Sequence, residues 1–149
     1  MKVNGYDIPR KLYYSREHQW AVIDDDGNAR IGITDYAQKM LKEITFVYLP
    51  SKGISVNIGD VLCVIESIKA RIDTYVPLTG EILKVNEELN KKPFIINEDP
   101  YGDGWIVTIH PSMSETELQR LINARQYAEY VKGLIRRDKD LMIHKWKRR

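Results

Sequence analysis

The chain has 149 residues, 43% of them apolar and 30% charged, with a formal net charge of +2, which is the composition of one soluble globular domain. No apolar run approaches the roughly 18 residues of a membrane span. Residues 1–10 have neither a signal-peptide apolar stretch nor the Arg- and Ser-rich look of a transit peptide, so a cytoplasmic location without membrane contact is expected.

In chain order, residues 13–14 and 20–23 are rich in strand formers. The turn Asp24-Asp25-Asp26-Gly27-Asn28 separates Ala21-Val22-Ile23 from Ala29-Arg30-Ile31-Gly32-Ile33, which predicts a β-hairpin. Thr34 is placed to cap a short helix over residues 35–42, with Asp35 in its first turn and Tyr36, Ala37 and Met40 facing inward. Residues 45–49 read as a strand stopped by Pro50, followed by a turn at Ser51-Lys52-Gly53. Further strands are predicted over residues 61–66, 72–76, 81–85 and 105–109, the last closed by Pro111. Residues 61–65 are apolar on both alternations, the mark of a strand buried on both faces. Within that run the single cysteine, Cys63, is a buried structural thiol, and no internal disulfide is possible. Many short strands punctuated by Gly and Pro argue for an all-β sandwich or barrel-like domain.

Ser114 and Glu117 fit a capping box. Leu118, Leu121, Ile122, Arg125, Ala128, Val131 and Ile135 then keep helical spacing, so one helix over about residues 115–134 is expected, weakened at its end by Gly133. Residues 132–149 hold eight Lys or Arg against Asp138 and Asp140, a charge of +6, which leaves residues 1–131 at −4. Such a basic stretch, with Trp146 among its cations, is ordinarily solvated. As a binding element it would meet an acidic partner protein, or phosphates without sequence preference; nucleic acid is not the expected partner.

Residues 59–82 are almost symmetric about Lys69. Gly59 lies ten residues before it and Gly80 eleven after, and two apolar strands of similar length flank a polar centre, residues 66–73. The simplest geometry is a hairpin with Lys69 at its exposed apex. A lysine so displayed is open to an acylating enzyme from all sides, and a rigid base suits a long flexible arm. Spacing alone also fits an ordinary solvated lysine in a turn.

The motifs from residue 18 to residue 109 add to this. They are His18-Gln19-Trp20, Ile31-Gly32-Ile33-Thr34-Asp35-Tyr36-Ala37-Gln38, Phe46-Val47-Tyr48-Leu49-Pro50, Glu66-Ser67-Ile68-Lys69-Ala70, Asp73, Pro77, Thr79-Gly80-Glu81, Val85-Asn86, Asn97-Glu98-Asp99-Pro100-Tyr101-Gly102 and Gly104-Trp105. In this order they resemble the H protein of the glycine cleavage system. The resemblance implies a mainly β, barrel-sandwich hybrid fold of the biotinyl/lipoyl type, with a short helix and a C-terminal helix. It implies a non-catalytic, monomeric carrier whose body is residues 1–131, with residues 132–149 as a basic extension. The family's lipoylated lysine falls on Lys69, so lipoate in amide linkage is the implied cofactor. Biotin carriers of this fold have Met on both sides of the lysine, whereas here the neighbours are Ile68 and Ala70. Glu66 resembles a position that helps the lipoate-attaching enzyme recognise its site. The implied partners are that enzyme, glycine decarboxylase, aminomethyltransferase and dihydrolipoamide dehydrogenase, between which an aminomethyl group is shuttled.

The chain departs from the family in the cleft that receives the loaded arm. There the family uses a Ser and a Glu flanking the first-motif His, an Asp four residues after the lysine, and a small polar residue three further on. Only Asp73 is kept; the other positions are Glu17, Gln19 and Val76. Gln19 removes a carboxylate that would hold a protonated amine, and Glu17 could restore one from another angle. This leaves open an H-like lipoate-binding protein carrying sulfur intermediates to a sulfur-oxidation complex of the heterodisulfide-reductase-like kind, for which Arg71 would favour an anionic adduct. No catalytic arrangement or metal cluster is visible, and His18, His110 and His144 stand singly.

Overall fold

The structure, a computed structural model, describes residues 1–112 and 114–147, with side chains through residue 139 of the last helix. The chain opens on a two-stranded hairpin, β1 (Lys2–Val3) and β2 (Tyr6–Asp7), turned through Asn4 and Gly5 at positive φ. Strands of two residues carry no periodic signal, and the sequence reading has none here. β3 (Tyr13–Tyr14), β4 (Gln19–Ile23) and β5 (Ala29–Ile33) follow. β4 and β5 form the expected hairpin, whose loop is closed by the Asp24 carboxylate accepting the Asp26 and Asn28 N–H groups, each at 2.9 Å.

α1 (Asp35–Leu41) begins at Thr34, whose Oγ1 accepts the Ala37 N–H at 3.2 Å. Tyr36 and Ala37 are buried as expected, but Met40 is 40% exposed: in the last turn of α1 Leu41 takes the core-facing position, and Met40 borders a cleft. The chain continues with β6 (Ile44–Tyr48), β7 (Ser55–Val56), β8 (Val61–Ser67), β9 (Arg71–Tyr75) and β10 (Gly80–Val85). A 3-10 turn (Glu87–Asn90) and the one-turn α2 (Ile95–Glu98) lead to β11 (Val107–Pro111), α3 (Glu115–Leu118) and α4 (Ala124–Lys147).

Two antiparallel sheets make the body. One has the order β3-β4-β5-β11-β10-β7, and the other β6-β8-β9. Their inner faces enclose Ile31, Ile33, Val47, Leu62, Ile65, Ile82 and Ile109. A second cluster, with Ile8, Tyr14, Trp20, Tyr127 and Val131 at its centre, seats α4 on the outer side of the larger sheet.

β8 is not buried on both faces throughout: Val61 is 50% exposed, whereas Leu62 and Cys63 are both inside. A register shift between Val61 and Cys63 opposite β9 turns two consecutive side chains inward, which mimics a doubly buried strand in sequence. The last strand starts at Val107 rather than Trp105, because the Trp105 carbonyl accepts the Asn86 side-chain amide at 2.7 Å and its N–H goes to Gly102. The expected helix over residues 115–134 is two helices. Residues 119–123 turn between them, and Tyr14 and Ile122 exchange backbone bonds there. The capping box does not form. The Glu117 carboxylate instead accepts the Thr79 N–H at 2.8 Å and the Thr79 hydroxyl at 2.6 Å, tying α3 to the start of β10. α4 runs unbroken across residues 131 and 132 and through Gly133. The side chains of residues 140–149, with Trp146 and the last four cations of the basic stretch, lie outside the described residues.

Candidate functional site

Lys69 stands at the apex of the β8–β9 hairpin and is exposed. The last cross-strand pair is Glu66 opposite Arg71. Ser67 then closes the turn: its backbone N–H donates to the Ala70 carbonyl at 2.8 Å, and its Oγ accepts the Lys69 and Ala70 N–H groups, each at 3.1 Å. The Ile68 N–H donates to the Glu43 carbonyl at 3.0 Å, which anchors the apex to the connection between α1 and β6.

That connection is itself held. Asn97 accepts the Ile44 N–H at 2.9 Å and donates to the Lys42 carbonyl and to Gln38 Oε1 at 2.8 and 2.9 Å. The turn needs this support because Lys42 sits at φ +66. One asparagine far along the chain thus steadies the base of Lys69.

The two faces of the hairpin differ, as strand alternation requires. Ile72 and Thr74 turn inward, and together with Lys69 and Ala70 they line a cavity of about 460 Å³. Its other walls are Glu17, His18 and Gln19 from the start of β4, Ile33, Tyr36, Ala37, Met40 and Leu41 around α1, and Leu134 and Asp138 from α4. The outer face carries Glu66, Arg71 and Asp73. Arg71 Nη1 donates to Glu66 Oε1 at 2.7 Å, the Tyr48 hydroxyl donates to the same oxygen at 2.8 Å, and the guanidinium lies 4.9 Å over the Tyr48 ring.

The expected arm-cleft residues are therefore not all brought together. Glu17 and Gln19 border the Lys69 cavity and also a neighbouring one of about 470 Å³, where Val76 lies. Asp73, exposed opposite Val64 on the outer face, lines neither. Arg71 does not line the Lys69 cavity either.

Gln19 is only 3% exposed, and its amide is committed. Oε1 accepts the Ser15 hydroxyl at 2.7 Å, and Nε2 donates to the Glu17 carbonyl at 2.9 Å. It presents a fixed neutral dipole. Beside it, His18 occupies φ +74 and packs on Tyr36 with ring centroids 4.8 Å apart. Burial pushes its imidazole down to about 4, so the ring is neutral at physiological pH. Its Nδ1 lies 2.7 Å from the Tyr127 hydroxyl, which lies 2.8 Å from Thr34 Oγ1. Thr34 already accepts the Ala37 N–H. The three side chains form one hydrogen-bonded chain that fixes the orientation of the His18 ring.

Burial also pushes the Cys63 thiol up to about 11, which with 4% exposure makes it inert. Among the described residues no His, Cys, Asp and Glu side chains gather into a metal site, and no helix is long and apolar enough to cross a membrane.

The sequence model of the family described as glycine cleavage H-protein matches residues 12–134. The chain belongs to that family. The probable glycine cleavage system H protein of Pyrococcus horikoshii is 48% identical over 134 residues, 90% of this chain and 99% of that one. Glycine cleavage system H protein 4 of Aquifex aeolicus is 44% identical over 138 residues, 93% of this chain and 80% of that one. Among solved structures, the glycine cleavage system H protein of Mycobacterium marinum superposes with a TM-score of 0.73 at 33% identity, covering 82% of this chain and 97% of that one. The two-sheet body is thus the barrel-sandwich fold of this family.

Three features of the site escaped the sequence reading: the Tyr127 lock on His18, the Tyr48 contact with Glu66, and the wall formed by Leu134 and Asp138. The last had a signal. Tyr127, Val131, Leu134 and Asp138 fall at intervals of four, three and four, which is one face of a helix.

Proposed function

We propose that Lys69 bears a lipoyl group in amide linkage and that the chain is the mobile carrier of glycine cleavage. It takes the aminomethyl group from glycine decarboxylase, presents it to aminomethyltransferase, and is reoxidised by dihydrolipoamide dehydrogenase. Family membership supports the carrier role. The observation that carries the assignment to Lys69 is its placement: an exposed amine at the apex of a hydrogen-bonded hairpin, directly beside a cavity partly walled by Ile33, Ala37, Leu41 and Ile72.

The residues present fit the group. The Lys69 amine is reachable by an attaching enzyme, and the cavity walls offer apolar cover to the arm. The dithiolane supplies the redox and group-transfer chemistry, and the protein supplies position and shelter. The chain itself is not a catalyst. Residues 1–131 are its carrier body, and residues 132–149 are a basic extension.

Glu66 lies on the outer face, three residues before the lysine, where an attaching enzyme closing on the apex would meet it. Arg71 is turned onto Glu66 rather than into the cavity, so no observation favours a site for an anionic sulfur adduct.

Intact mass after co-expression with a lipoate ligase tests the assignment. A gain equal to one lipoyl group, lost in Lys69→Arg, is expected. An unmodified parent, or a modified Lys69→Arg, refutes it.

A further inference from the structure

Gln19 borders the Lys69 cavity as a neutral amide and supplies it no charge. Its amide cannot swing to help a cation, because both ends are bonded to Ser15 and to the Glu17 carbonyl. The cavity nevertheless has two carboxylate residues in its lining, Glu17 and, from α4, Asp138. The stripe Tyr127, Val131, Leu134, Asp138 begins in the second core, where Tyr127 and Val131 are fully buried, and ends at the cavity rim. The helix is held in this direction by the Tyr127 hydroxyl between His18 and Thr34, and by Tyr127 stacking on Tyr14 with ring centroids 4.6 Å apart. Asp138 is close enough to Tyr36 to add to burial, the larger cause, in pushing that phenol up.

We propose that Asp138, carried on the continuation of α4 past residue 131, faces the amine of the cargo on the Lys69 arm and supplies the counter-charge that Gln19 does not. Leu134, one turn earlier, covers the arm behind it. The inference rests on the lipoyl-carrier reading and deepens it.

The charge balance supports a cationic cargo. Acylation removes the Lys69 charge. Of the other titratable groups around the cavity, His18 is neutral, Tyr36 is a phenol, and Glu17 and Asp138 are carboxylates. A cavity so lined favours a protonated amine and disfavours an anion. Glu17 lies on the wall shared with the second cavity, whereas Asp138 faces the Lys69 cavity only.

A stable stand-in for the cargo tests this without turnover. The lipoylated chain is reduced and treated with 2-bromoethylamine carrying a 13C label. Each arm thiolate displaces bromide and gains an aminoethyl group through a thioether. Buried Cys63 is spared. The pKa of the labelled amine is then read by NMR in the parent, Asp138→Asn and Asp138→Glu.

The expected pKa is higher in the parent than in Asp138→Asn by roughly half a unit, a threefold shift in the protonation constant. Asp138→Glu should recover most of it, and the melting temperatures should agree. In the lipoylated but unalkylated parent, the backbone amide signals of Leu134 and Asp138 should move relative to the unmodified chain. Equal amine pKa values in the parent and Asp138→Asn overturn the inference and leave the carrier reading intact. A parent that never receives lipoate overturns both.

Discussion

His18 gives the structure a measurable acid limit. The imidazole is neutral and held down at about 4, whereas an unfolded chain releases its proton near 6.5. Between those values the unfolded state binds more protons than the folded one, so stability rises with pH through this window and is lost as pH falls through it. At pH 4.5 the unfolded histidine is almost fully charged and the folded one about one quarter charged. The linkage integral is then about 2.5 kcal/mol of stability missing relative to pH 7.5, or ~5–10 °C in melting temperature for a chain of this size. Carboxylates contribute to the same trend, among them Asp35, whose carboxyl is held low by hydrogen bonds from the Asp7 N–H, Lys39 and Gln38 against the opposing effect of burial. They are removed by comparison with His18→Asn, since asparagine tolerates the φ of +74 that position 18 requires. Urea unfolding of both proteins at pH 7.5 and 4.5, followed by tryptophan fluorescence, gives the double difference. The parent should lose about 2.5 kcal/mol more than the variant. A difference below about 0.5 kcal/mol would refute the buried neutral imidazole, since the wild-type shift could not then exist.

Gln19→Glu puts a carboxylate oxygen where Nε2 now donates to the Glu17 carbonyl. At low pH the protonated acid can still donate, so the variant should match the parent near pH 4. It should fall behind by about 2–4 kcal/mol as the pH rises to 8 and a buried charge meets a carbonyl; chemical denaturation at both pH values measures the gap, and equal stability at pH 8 would argue against the bonding described. Asn97→Ala removes three hydrogen bonds under the Lys42–Ile44 turn and should lower stability by about 2–4 kcal/mol. Hydrogen exchange at Ile68 should accelerate more than at Ile109, and uniform acceleration would deny the link from Asn97 to the apex. If an attaching enzyme reads Glu66, Glu66→Gln should reduce kcat/KM for lipoylation roughly tenfold, the worth of one charge-assisted hydrogen bond. Arg71→Ala, which removes the ion pair and leaves the Tyr48 hydroxyl on the carboxylate, should not reduce it; parent-like rates in Glu66→Gln would remove Glu66 from recognition.

The legibility of this chain followed how local each signal was. Thr34 was readable as a cap because its partner, the Ala37 N–H, is three residues away. The β4–β5 hairpin was readable because Asp24 closes its loop within five residues. The Lys69 apex emerged from symmetry and family motifs, since the turn bonds of Ser67 also span only three residues. Signals failed where a distant partner outbid a local one. Glu117 matches a capping box on paper, but Thr79 offers two donors across the fold and takes its carboxylate. Leu62 and Cys63 look like a doubly buried strand, and only the register shift against β9 reveals one buried face. The cavity beside Lys69 was hardest, because its walls come from β4, α1, the hairpin and α4, and no window of sequence contains them together.

Strand alternation explains how one hairpin can serve two tasks under the proposed reading. On β9, Arg71 and Asp73 point out while Ile72 and Thr74 point in, so every side chain offered to an approaching enzyme is one residue from a side chain that lines the shelter. A one-residue slip of β9 would exchange the two faces and place charges in the cavity. The structure guards against that slip inside the sandwich. The Thr74 hydroxyl donates to the Cys63 carbonyl at 3.0 Å and accepts the Cys63 N–H at 3.1 Å, fixing the register from the buried side. Lys69 sits at the apex, on the border of that cavity. Its backbone is held by Ser67 while its amine is exposed, which is the combination a rigid base with a free arm requires.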